Sequence, residues 1–158
     1  MKALILYRSF HGNTRQVAEE IERKLRELGH EAAVQDLRVR LPDLGGIDRV
    51  LLGAPTRMAG VTGRAKAALR KLQAGGLGGK PVAIFDTYGP LPKTPEEQVK
   101  AERWINPGAA GFLAQKASRL GLKVHGQTLR CAVRELNGPL AEGELDKVAP
   151  FVKAFAAG

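Results

Sequence analysis

Apolar positions alternate between two patterns along this chain. Unbroken runs of strand length, "KALILY" (2–7), "RVLLGA" (49–54) and "PVAIFDT" (81–87), predict strands buried on both faces. Between them the apolar positions recur at helical spacing. Val17, Ile21, Leu25 and Leu28 mark one face of a helix that Gly29 can end. "EAAVQDL" (31–37) predicts a weaker second strand. Gly63 to Leu72 predicts a helix, and so does Pro107 to Leu120, with its proline in a first-turn position. "LKVHGQTLRCAV" (122–133) reads as a strand interrupted at Gly126. "GELDKVAPFVKAF" (143–155) reads as a closing helix that Pro150 strains.

Strand and helix alternate five times, so a parallel sheet with helices on both faces is expected. The 158 residues, 44% hydrophobic and 26% charged, suffice for one core but not for two ordinary ones. Residues 1–158 are therefore read as a single domain. No apolar run approaches the ~18–20 residues of a membrane span. The amino terminus lacks the basic segment, apolar stretch and cleavage site of an export signal. Cys131 is the lone cysteine, which excludes an intramolecular disulfide and agrees with a cytoplasmic location. His11, His30, His125 and Cys131 are scattered without ligand spacing, so no metal site is expected. Ser9 has no readable histidine and carboxylate partners, and no catalytic residue is assigned.

Candidate chemistry begins at "SFHGNTRQVAEEI" (9–21), just after the first strand. Ligands of open parallel sheets bind outside the carboxyl ends of the strands, where strand order reverses. Gly12 lets the backbone bend there. Asn13 and Thr14 open the helix, whose free N–H groups and positive dipole end attract an anion. Ser9, Asn13 and Thr14 add side-chain donors. Two readings stand on these residues: a phosphate seat, or a helix merely capped by Asn13 or Thr14. Neither a Walker Gly-Lys-Ser/Thr nor a Gly-x-Gly-x-x-Gly follows. "GGLGGK" (75–80) runs into a strand rather than a helix, so it reads as a connection.

"YRSFHGNTRQVAEEI" resembles the phosphate-binding loop of flavodoxins, where Ser/Thr-x-x-Gly-Asn-Thr follows the first strand. "VLLGAPTRMAGVTGRAKAAL" is similar to the family's second flavin loop, and "GKPVAIFDTYG" to its fourth strand and third loop. "GPLAEGELDKVAPFVKAF" resembles the entry to the terminal helix. The resemblance implies an α/β, flavodoxin-like three-layer sandwich, with a five-stranded parallel sheet of order 2-1-3-4-5 and FMN held non-covalently at its rim. It implies that Ser9, His11, Gly12, Asn13 and Thr14 hold the phosphate, with Phe10 also a cofactor-binding residue of that loop. Pro55, Thr56, Arg57, Met58, Ala59 and Gly60 would line one side of the isoalloxazine. Thr87, Tyr88 and Gly89 would line the other, with Tyr88 stacking. The implied role is electron transfer through the flavin, serving redox partner proteins. A small NAD(P)H-dependent FMN or quinone reductase is an alternative, as is a flavin-free binding module on the same fold.

Two departures from the family stand out. Where many flavodoxins place a tryptophan in the second loop, this chain has Arg57 and Met58. Its only tryptophan, Trp104, lies well past the third loop, where two readings stand: a half-buried packing residue, or a lid. The charge is also inverted, since flavodoxins are typically acidic and this chain carries a formal +9 at pH 7. Between Asp48 and Asp86 lie seven bases and no acid; between Glu102 and Glu135 lie six bases and no acid. Right-handed crossovers would put the helices after strands 3 and 4 on one face, making that face basic and its partners acidic. No nucleic-acid-binding motif accompanies the charge.

Overall fold

The computed structural model describes residues 1–57 and 61–158. Its elements follow in the order β1 (Lys2–Tyr7), α1 (Asn13–Glu27), β2 (Glu31–Asp36), β3 (Arg49–Pro55), α2 (Gly63–Ala74) and β4 (Pro81–Tyr88). Then come α3 (Pro95–Ile105), α4 (Gly108–Arg119), β5 (Lys123–Val124), β6 (Leu129–Ala132), a 3-10 turn (Glu144–Lys147) and α5 (Val148–Ala157). The sheet order is β2-β1-β3-β4-β5, all pairs parallel, with β6 also beside β4. This is the order 2-1-3-4-5 that the resemblance implies. The fifth strand is split: β5 pairs with Pro81 and Val82, and β6 with Phe85 to Tyr88, so the break around Gly126 leaves two short pieces along one edge.

Strand alternation sorts the central side chains into two cores. Leu4, Leu6, Val50, Leu52, Val82 and Ile84 face α2 and α4. Ala3, Ile5, Tyr7, Leu51, Ala83 and Phe85 face α1 and α5. Helices α1, α2, α4 and α5 return apolar side chains to these cores: Val17, Ile21 and Leu25 from α1, Leu69 and Leu72 from α2, Leu113 from α4, Phe151, Val152 and Phe155 from α5. Each such large side chain stabilises the fold by about 1.5–3 kcal/mol when fully buried. The three layers leave the carboxyl ends of β1, β3 and β4 open at one rim.

Two expectations need correction. Pro150 does not strain the closing helix, because α5 begins at Val148 and places Pro150 in the first turn, where an N–H has no intrahelical partner to lose. Helix α3 was not foreseen at all. It buries none of its residues, so no apolar stripe announces it. Its start is nevertheless written in the sequence. Thr94 caps it, accepting from the Glu97 N–H at 3.1 Å, Pro95 opens it, and Glu96 and Glu97 fill the first turn. Among the described residues, no helix is long and apolar enough to cross a membrane.

Candidate functional site

The open rim holds a cavity of ≈ 430 Å³. The loop between β1 and α1 contributes Ser9, Phe10, His11, Asn13 and Thr14 to its wall. The end of β3 contributes Pro55, Thr56 and Arg57, and the end of β4 contributes Thr87, Tyr88 and Gly89. Gly12 forms the turn without lining the cavity. Met58, Ala59 and Gly60 lie outside the described residues. Sequence reasoning missed the remaining wall: Pro90 after β4, Ala101, Trp104 and Ile105 from α3, and Val133, Leu136 and Asn137 after β6. Trp104 stands 53% exposed on the cavity wall, outside either core.

The first loop is folded by its own polar groups. Gly12 has φ of +87°, a left-handed conformation that glycine adopts without steric cost. Its N–H donates to Ser9 Oγ at 3.1 Å, and its carbonyl accepts from Gln16 N–H at 3.0 Å to start α1. No side chain caps this helix, and Asn13 and Thr14 already lie inside it, so the capping alternative is not what the structure shows. Asn13 Nδ2 instead donates to Asn137 O at 3.1 Å, and Thr14 Oγ1 shares a 2.8 Å hydrogen bond with Thr87 Oγ1. The first turn carries no acid. Uncapped backbone N–H groups, a positive dipole end and no competing carboxylate fit a phosphate.

Two cations stand over the first loop: the Arg8 and Arg57 guanidinium carbons lie 4.0 and 4.3 Å from the centroid of the Phe10 ring. Below the second and third loops sits Asp86, fully buried at the end of an apolar run. Its carboxylate accepts from Arg130 Nε at 2.9 and 3.1 Å, Thr56 Oγ1 at 2.8 Å and Ala110 N–H at 3.0 Å. Burial pushes the Asp86 carboxyl up, while Arg130, Ala110 and Thr56 pull it down. The Thr56 hydroxyl also accepts from the Ala109 N–H at 2.9 Å, so both its donor and an acceptor position are used. Asp86 and Arg130 had no role in the sequence reading. The signal available was a carboxylate inside a strand buried on both faces.

The comparisons with known proteins meet this geometry at two levels. At the level of fold, the chain is similar to a flavodoxin from the domain Archaea, with 23% identity, 99% of this chain and 97% of that chain covered, and a TM-score of 0.77. It is equally similar to Flavodoxin 2 from Bacillus cereus, with 23% identity, 99% of both chains covered and a TM-score of 0.76. It also matches 35% of the rubredoxin oxygen:oxidoreductase of Desulfovibrio gigas, over 99% of its own length, at 14% identity and a TM-score of 0.72. No curated protein matches the chain. At the level of family, the "Flavodoxin domain" family matches residues 4–134. The chain belongs to the flavodoxin family.

Proposed function

We propose that this chain binds FMN non-covalently in the rim cavity and carries electrons between redox partners as a single cytoplasmic domain. One observation carries the reading: the uncapped, acid-free start of α1 stands in a cavity whose other walls are the ends of β3 and β4. In this reading the first-turn N–H groups, with Ser9, His11, Gly12, Asn13 and Thr14, hold the phosphate, and Phe10 flanks it. Pro55, Thr56 and Arg57 flank one side of the isoalloxazine. Thr87, Tyr88 and Gly89 flank the other, and Trp104 excludes water at the mouth. The flavin, when bound, supplies reversible electron uptake; the protein sets its orientation and electrostatics. Membership of the flavodoxin family supports the cofactor, and the basic helices support partners with acidic surfaces.

The test separates a carrier from a reductase. Anaerobic FMN-loaded protein should be bleached reversibly by a chemical reductant and stay oxidised when mixed with NADH or NADPH alone. Rapid bleaching by either nucleotide would replace the carrier reading with the reductase one.

A further inference from the structure

Arg130 ties β4 to the end of α3 behind the cavity without lining the cavity itself. It lies on β6 in register with Asp86 on β4, so the two side chains leave the sheet on the same face. All three guanidinium nitrogens are engaged. Nε donates to Asp86, Nη1 to Asn106 Oδ1 at 2.9 Å, and Nη2 to Ile105 O at 2.8 Å. Asp86 continues the network to Thr56, behind the second loop. Ile105 and Asn106 end α3, the helix that brings Trp104 to the cavity. Even the backbone is shaped to this pair. Gly108 has φ of +71°, and a Cβ there would lie 2.3 Å from Arg130 Nη2 and 2.9 Å from Thr56 Oγ1.

The guanidinium carbon also stands 4.3 Å from the centroid of the Tyr88 ring. Tyr88 lines the cavity and Arg130 does not, so the cation backs the ring from outside. A cation over one face of an aromatic ring is attracted to its π electrons and draws them towards itself. The opposite face is left less electron-rich. An unbacked tyrosine stacked on a flavin disfavours the electron-rich reduced ring, and a fixed cation behind the tyrosine opposes that penalty.

We propose that Arg130 is a positioning residue of the flavin site, acting through Tyr88 to favour reduced over oxidised FMN. This deepens the FMN reading above and rests on it. Asp86 anchors the cation, and the fork to Ile105 and Asn106 fixes its height above the ring.

The experiment measures the affinities of oxidised and reduced FMN for the wild type, Arg130→Lys, Arg130→Gln and the double variant Asp86→Asn/Arg130→Gln. The double variant removes both charges together, so no buried carboxylate is left unpaired and folding is protected. Arg130→Gln and the double variant should each lose roughly tenfold of the preference for reduced FMN. For a two-electron couple that is a potential lower by about 30 mV. Arg130→Lys, which keeps the charge, should retain most of the preference while binding both forms more weakly. Equal loss of both affinities in the double variant, with their ratio unchanged, would reduce Arg130 to a structural brace and overturn the proposal. Wild-type protein that binds neither form would overturn the FMN reading itself, and this inference with it.

Discussion

Thr14 and Thr87 lie 73 residues apart and share one buried hydrogen bond at 2.8 Å. That contact ties the start of α1 to the end of β4, two walls of the cavity. Thr87→Val should weaken FMN binding by about 0.5–1.5 kcal/mol, the usual worth of one hydrogen bond, although Thr87 lies on another strand from the loop. Isothermal titration checks it; unchanged affinity would leave the two threonines as fold contacts only. Cys131 makes the opposite case, a reactive group silenced by its place. Burial first, and the Glu144 carboxylate second, push its thiol up to about 12. The nucleophilic thiolate is therefore absent near neutrality. A thiol reagent at pH 8 should leave the native protein untouched and label one site after denaturation. Rapid native labelling would contradict the buried placement. At this scale the sequence revealed the first loop, because Gly12 and its hydroxyl and amide neighbours are rare company between a strand and a helix. It did not reveal the Asp86–Arg130 pair, because a single sequence gives no means of matching partners 44 residues apart.

Elements were legible in proportion to what they bury. β1, β3 and β4 are runs of buried apolar residues, and α1 shows its stripe at Val17, Ile21 and Leu25. α3 buries nothing, so only its capping residues betray it. The split fifth strand is held to the domain by His125, whose N–H donates to Val82 O at 2.7 Å. Its ring meets Phe151 and Phe155 of α5 edge-on, with centroids 5.9 and 5.3 Å away. Nε2 is buried and has no hydrogen-bond partner among the described residues. Burial, and then the Arg49 charge, hold this imidazole below the ordinary histidine value. The unfolded chain takes up a proton near pH 6.5 that the folded chain resists. Stability should therefore fall as pH drops from about 6.5 through the lower folded value, since the unfolded state binds more protons in that window. Denaturant titrations between pH 5 and 8 should show the wild type losing stability relative to His125→Leu as the pH falls. A pH-independent difference would mean that His125 stays solvated.

Across the whole molecule the two helical faces differ in charge. α2 and α4 carry Arg64, Lys66, Arg70, Lys71, Lys116 and Arg119 with no acid in either helix. None of the six forms an ion pair among the described residues. On the opposite face, Arg15, Arg23, Lys24 and Arg26 of α1 are paired with glutamates of their own helix. Helix dipoles account for part of the basic face, since Lys71, Lys116 and Arg119 occupy last turns, where cations are favoured. Arg64 and Lys66 have no such reason. They open α2 directly after the second cavity loop, where an acidic partner would approach the flavin. Electron exchange with an acidic acceptor protein should slow as salt rises, because steering by exposed charge is screened beyond ~8–10 Å. Arg64→Glu/Lys66→Glu should slow it at low salt and flatten that dependence. Rates indifferent to both would leave the charge without a part in docking.

The flavin reading depends on what the start of α1 holds, and a comparison of FMN with riboflavin addresses that directly. The two ligands share the isoalloxazine and differ in the phosphate, so the difference between their affinities isolates the loop of residues 9–14. Titration of flavin-stripped protein with each, followed by flavin fluorescence, should show near-equimolar FMN binding and riboflavin binding weaker by at least tenfold, about 1.4 kcal/mol, the scale of one charge-assisted hydrogen bond. Equal affinity for the two would contradict the phosphate seat at α1, and no binding of either would contradict the flavin site.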